Sequence, residues 1–145
     1  MGSTHKLFSV TPGNINKLMF PIIFCIDKTK ISKYIKGYTF LSLNEILAKR
    51  LLPYAQDKRK LFVIDELNRI VHSIEGPLLI EDFEILFDPD YQIDVLKTFI
   101  LLNREKKIAV LWPGKFEKGK LKFAKPEYKD YKSYNINDYD MTCIV

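Results

Sequence analysis

Residues 77–91 read PLLIEDFEILFDPDY. The stretch begins with a short apolar run that follows Gly76 and ends in two adjacent carboxylates, Glu81 and Asp82. A second apolar run and an Asp88-Pro89-Asp90 turn come next. A continuous apolar run of strand length, bounded by turn residues, reads as a strand buried on both faces, as parallel sheets require. An acid at the carboxyl end of such a strand is placed to meet magnesium on a bound nucleotide, so the flanking sequence must show whether a phosphate site accompanies it.

Residues 21–26, PIIFCI, form another continuous β-branched and aromatic run and predict a buried strand. Asp27 is expected to cap a helical turn containing Ile31 and Ile35, closed by Gly37. A second strand is expected over residues 38–43. Ser42 and Asn44 are candidate caps for a helix carrying Ile46, Leu47, Leu51 and Leu52, which Pro53 ends. Residues 61–66, LFVIDE, resemble a strand ending in an acid pair. However, Val63, Leu67, Ile70, Val71 and Ile74 keep helical spacing for three turns. The segment 58–75 therefore reads as one amphipathic helix with Asp65 and Glu66 on its exposed side, broken by Gly76-Pro77. Pro89 and Asp90 are expected to start a helix running through Ile93, Leu96, Phe99 and Ile100 towards Asn103. Residues 107–112, KIAVLW, predict a strand stopped by Pro113-Gly114, and residues 119–123 a hairpin strand. Apolar strands alternating with amphipathic helices predict a single α/β domain over residues 1–145. Its expected form is three-layered, with a mostly parallel sheet and helices on both faces. Residues 125–145 are expected to be an irregular Lys/Tyr-rich tail.

The composition, 47% apolar and 28% charged, is that of a globular protein. No apolar stretch approaches the roughly 20 residues that cross a bilayer, and no basic-then-apolar leader is visible. A cytoplasmic protein without membrane contact is expected. Cys25 and Cys143 lack partners at metal spacing and read as two reduced thiols. The net charge of +5 hides an asymmetry: residues 75–94 hold seven acids and no Lys or Arg, leaving 23 basic against 11 acidic residues elsewhere. A basic body attracts phosphate backbones weakly and non-specifically; it is equally the solvated surface of a Lys-rich protein.

A phosphate-binding loop needs G-x-x-x-x-G-K-[ST] between the first strand and its helix, with glycines that let backbone N–H groups turn inward. The segment in that place is Cys25-Ile-Asp-Lys-Thr-Lys-Ile-Ser32. Cys25 and Lys30 replace both glycines, Ile31 replaces the lysine, and only Ser32 fits. Using Lys28-Thr29 as the K-T pair leaves the loop too short and still without glycine. Asp27 would also repel a triphosphate. Ordinary P-loop hydrolysis is not expected.

Residues 77–138 resemble BrxF, the small P-loop protein of type 3 BREX (bacteriophage exclusion) systems. The resemblance lies in EILFDP at 84–89, preceded by an apolar run and an acid, and in an Asp-x-Leu helix start at Asp94-Val95-Leu96. It continues through Asn103-Arg104, AVLWPG at 109–114 and GKLKFAKPEYKDY at 119–131. Upstream, PIIFCI and NEILAKRLL fall where that family has its first strand and an early helix. The resemblance implies an AAA+-like fold, a phage-defence setting and other BREX-type defence proteins as partners. It places the acidic Walker B position on Glu81 or Asp82, and Asn103-Arg104 where a polar sensor or arginine acts. This chain departs from the family at the Walker A motif.

Ser32, Glu81, Asp82, Asn103 and Arg104 are thus the candidate nucleotide-binding remnants, with no catalytic residue and no metal ligand unless Asp82 meets magnesium on ATP. Each also has an ordinary structural reading. Glu81 and Asp82 form a solvated acid pair or an electrostatic latch to a lysine. Asn103 and Arg104 cap a helix C-terminus. Trp112 reads as core or as an aromatic lid on its strand end. Tyr128, Tyr131, Tyr134 and Tyr139 with interleaved lysines either stack on bases or pack a partner, a second copy of the chain included. The expected function is a non-catalytic, P-loop-derived component of a phage-defence complex acting through its acidic belt and tail. The alternative is an ATP- or DNA-binding module of the same system with altered phosphate contacts.

Overall fold

The computed structural model describes residues 1–145. In chain order the elements are β1 (Ser3–His5), β2 (Ile22–Phe24), β3 (Thr39–Ser42), α1 (Leu43–Leu51), α2 (Arg59–His72), β4 (Leu78–Glu81) and α3 (Val95–Asn103). They continue with β5 (Ile108–Leu111), β6 (Lys115–Glu117), β7 (Lys120–Phe123), β8 (Lys132–Asn135) and β9 (Thr142–Ile144). Six strands form one sheet in the order β1-β9-β2-β5-β4-β3, and every pairing in it is parallel. Strands β6, β7 and β8 form a separate antiparallel sheet. The chain is therefore an α/β protein built on a parallel sheet, as the continuous apolar runs predict.

The period-2 pleat divides the sheet's residues between two cores. Ile23, Leu41, Leu78, Ile80, Ile108, Val110 and Cys143 face one side, which all three α-helices cover. Ile22, Phe24, Leu79, Ala109 and Ile144 face the other, covered by Val10, Ile15, Ile31, Tyr34 and Ile35. The expected helices on both faces are thus α-helices on one face and short 3-10 turns on the other. The handedness of parallel crossovers accounts for the split. The chain moves one way across the sheet in going from β1 to β2 and on to β3. It moves the opposite way in going from β3 to β4, β5 and β9. A right-handed crossover must change face when its direction across the sheet reverses. Neither segment assigned to the second face has an amphipathic run long enough for an α-helix.

Several local expectations change. Helix α1 buries Leu43, Leu47 and Leu51, while Ile46 and Leu52 stay exposed. Ser42 makes no side-chain capping bond to this helix. Helix α2 keeps its stripe of Val63, Leu67, Ile70 and Val71. Asp65 is exposed, but Glu66 is buried and paired with Arg69 Nη1 at 2.8 Å. The helix beyond residue 88 starts later than Pro89. Residues Pro89–Tyr91 make a 3-10 turn, Gln92 adopts a left-handed φ of 53°, and Asp94 caps α3 by accepting the Lys97 N–H. A β-region cap whose carboxylate meets the helix N–H groups outcompetes a proline start followed by a left-handed residue.

The largest correction concerns residues 125–145. They are not irregular: β8 completes the small sheet, and β9 is inserted between β1 and β2, fully buried. Segment 119–123 is the expected hairpin strand, joined to β6 through Lys118 and Gly119 at φ 52° and 73°, the positive pair that a tight hairpin favours. The tail tyrosines divide. Tyr134 is buried, and its hydroxyl oxygen accepts the Val95 N–H at 3.2 Å. Tyr139 donates to Asp94 Oδ2 at 2.8 Å. Tyr128 is exposed and Tyr131 half-buried.

Burial pushes the Tyr134 hydroxyl up from 10.0 to about 12. Burial, then the bond to Asp94, pushes Tyr139 the same way. A group whose folded value is raised contributes stability that is complete below its unfolded value and disappears as pH rises through the folded one. Unfolding free energy should therefore fall between pH 10 and about 12. In a denaturant series across that range, Tyr134→Phe should flatten the decline, because phenylalanine has no proton to release.

Candidate functional site at the carboxyl ends of the strands

Open parallel sheets bind ligands beyond the carboxyl ends of their strands, where the direction of the connections reverses. Here that place lies between the adjacent strands β2 and β5, whose outgoing connections take opposite faces of the sheet. The carboxyl ends of β2, β5 and β4 present residues 25–28, 112–114 and 81–84 to one edge.

The acids at this edge are occupied by the fold. Glu81 is 15% exposed, and its Oε1 accepts from Lys28 Nζ at 2.9 Å. The pair spans strand β5, because Lys28 follows β2 and Glu81 ends β4. The same ammonium lies 4.8 Å from the Phe40 ring centroid. Asp82 has a left-handed φ of 50°, which turns the chain sharply at the end of β4. Its Oδ2 accepts from the Ser42 hydroxyl at 2.6 Å, and its carbonyl accepts the Asn44 N–H at 2.7 Å. Asp82 thus supplies an acceptor to the first turn of α1, where four backbone N–H groups lack helical partners. Asn44 extends the link: its Nδ2 donates to Glu84 Oε2 at 2.8 Å, and its Oδ1 accepts the Ile85 N–H at 2.9 Å. The latch reading of the acid pair is the geometry found, with Lys28, Ser42 and Asn44 as its unforeseen partners. Their sequence signal was polar residues beside strand ends, which does not identify a mate some 40 or 50 positions away. One atom stands apart: Glu81 Oε2 is buried without a hydrogen-bond partner.

The loop after β2 holds no helix. Residues Lys28–Lys30 and Ser32–Tyr34 are two 3-10 turns, and Ser32 is exposed on the second. An α-helix at this point would aim backbone N–H groups and a positive dipole end at a phosphate; short turns do not. Asn103 and Arg104 end α3, before β5 begins, so they sit at the opposite edge of the sheet from Glu81 and Asp82. Asn103 Oδ1 accepts the Ile108 N–H at 2.9 Å, which fixes the turn into β5. Arg104 is exposed at the helix C-cap. The structure therefore brings Glu81 and Asp82 together and leaves Ser32, Asn103 and Arg104 elsewhere.

Trp112 is buried, and its Nε1 donates to the Lys122 carbonyl at 2.9 Å. Its ring meets Phe87 edge-on at 5.5 Å and Tyr134 at 6.2 Å, in a cluster with Phe83 and Phe123. Gly114 follows because a Cβ there would collide with the Lys122 carbonyl oxygen. Cys25 directly follows β2 and Cys143 lies on the adjacent strand β9, although the two are 118 positions apart. The Cys143 thiol beside it, and then burial, push the Cys25 thiol far up, away from the thiolate that a nucleophile needs. No three His, Cys, Asp or Glu side chains gather closely enough to hold a metal ion.

Lys28→Ala should destabilise the fold by about 1–2 kcal/mol, because it strands the carboxylate of Glu81. Glu81→Ala in the same chain should restore part of the loss. A double-mutant cycle in urea should return a coupling of about 1 kcal/mol, given the half-exposed ammonium. A coupling near zero would show that the latch contributes nothing. No family model matches the chain, and neither does any curated protein or solved structure.

Proposed function

We propose that this chain is a non-catalytic, P-loop-derived component of a prokaryotic phage-defence complex of the BREX type, working through protein–protein contacts. One observation carries the non-catalytic part: the strand-end lysine and acid neutralise each other, Lys28 to Glu81 at 2.9 Å, with no helix or glycine loop behind them. A phosphate arriving there would have to break that pair and would meet Asp27. The ancestry is supported by an acid-ended strand β4 separated from β2 by the single strand β5. It is also supported by the run of residues 77–138 that resembles BrxF. Surface for contacts with other defence proteins, or with a second copy, is present beyond the acidic belt. Leu61, Ile64 and Leu101 are exposed at 62%, 37% and 45% on helices α2 and α3, and Ile64 and Leu101 line one groove.

A second reading, a nucleotide module with altered phosphate contacts, is favoured by the unpartnered Glu81 Oε2, an acceptor that an arriving cation would satisfy. Isothermal titration with ATP and magnesium separates the two. The scaffold reading expects no heat of binding, together with co-elution of the chain with co-expressed products of neighbouring defence genes. Micromolar binding of ATP that disappears in Asp82→Ala would overturn it in favour of the second reading.

A further inference from the structure

We propose that the outer face of the small sheet, with the recess beside it, binds single-stranded nucleic acid. The proposal is independent of the defence reading and of the strand-end site. Residues 113–134 carry seven lysines and three acids, which is four of the chain's five net positive charges in one structural unit. The register sorts them. Leu121 pairs with Phe116 and Tyr134 on the side packed against the core. The alternate positions point outward: Lys115 and Glu117 on β6, Lys120 and Lys122 on β7, Ser133 and Asn135 on β8. Of the seven lysines only Lys122 is in an ion pair, with Glu117 at 3.0 Å. The others are in no ion pair, although Lys115 and Lys118 lie near Glu117 and Lys125 and Lys129 share a groove with Asp88 and Asp90.

Beside this face lies a recess of about 510 Å³, bounded by Pro113, Lys115, Glu117, Lys122, Lys125 and Tyr131. The half-buried Tyr131 gives it an aromatic wall between ammonium groups. Lysines along a groove with an aromatic side chain at its wall are the two components of sequence-tolerant single-strand binding: charge follows the backbone and a ring stacks on a base. A protein partner fits less well, because lysine is depleted from the centres of protein interfaces. A duplex fits less well too, because its bases are already stacked and leave the ring nothing to receive. The path is constrained from one side. Asp88 and Asp90 face Lys125 and Lys129 across a second, shallower groove. Their charges direct a phosphate chain away from it, along β7 from the hairpin tip at Lys118 to Tyr131.

Fluorescence anisotropy with a labelled single-stranded DNA of about 20 nucleotides, starting near 50 mM salt, tests this. Binding is expected. With three lysines on phosphates, log K should fall against log salt with a slope of about −2. Combined Lys115→Glu, Lys120→Glu and Lys125→Glu should weaken binding more than tenfold, and Tyr131→Ala alone by about tenfold. A charge-matched control, Lys30→Glu, Lys33→Glu and Lys36→Glu, lies on the opposite face of the main sheet and should bind within about twofold of the native chain. No binding at low salt would overturn the proposal. So would equal loss in the control, tighter binding of a duplex of the same sequence, or an unchanged affinity in Tyr131→Ala.

Discussion

The main sheet depends on the pairing of its last strand. Strand β9 lies between β1 and β2 and bonds to both, so the amino-terminal strand has no other neighbour. Ser3 pairs with Thr142 and His5 with Ile144, close to the greatest sequence separation the chain permits. The Leu7 N–H donates to the Val145 carbonyl, and the Val145 N–H to the His5 carbonyl, which extends the ladder past both strands. Such contacts give nothing back until the whole loop has been closed. The small sheet serves this closure. It brings the chain from the end of β5 across to β9, and its Leu121 and Tyr134 join the core that the helices cover. Tyr139 and Tyr134 then tie residues 134–139 to the start of α3 through Asp94 and Val95.

The same topology explains why the strand-end edge is filled by its own side chains. The divergence of the connections that leave β2 and β5 opens a place for a ligand at this edge. Here the donors are spent inside the chain: Lys28 on Glu81, Ser42 on Asp82 and Asn44 on Glu84. These three bonds connect the ends of β2, β3 and β4 to the first turn of α1. Together they hold the strand-end loops to one another.

Much of this fold was legible because burial on both faces forces apolar runs. Residues 21–26, 77–80 and 107–112 announced three adjacent strands of the sheet centre, and the spacing from Val63 to Val71 announced α2. Gly37 and Gly76, both with positive φ, fall in the turns leading into β3 and β4, although α2 already ends at His72. The outer strands were not legible. Strand β9 is three residues with a threonine at its start, and β1 is polar, because a short strand can draw its apolar contacts from its neighbours. Strand order was also hidden, since it depends on which crossover takes which face. The acid pair was legible as a latch in kind but not in its partners. Glu66 was misplaced because the helical stripe widens at its Arg69 side, where an ion pair stands in for an apolar contact.

The charge asymmetry takes on a different meaning once the contacts are known. In sequence, the acidic segment 75–94 was the conspicuous feature and the lysines were background. In the folded chain most of those acids have internal duties. Asp94 caps α3 and receives Tyr139, Asp88 receives the Asp90 N–H, and Glu81, Asp82 and Glu84 bind Lys28, Ser42 and Asn44. A carboxylate that already accepts hydrogen bonds has less to offer a partner than its formal charge suggests. On the small sheet Lys115 and Lys120 are in the opposite condition, exposed and in no ion pair. The groups left over after folding are the ones free to recognise something else, and the unpaired lysines of the small sheet and of the loop after β7 are among them.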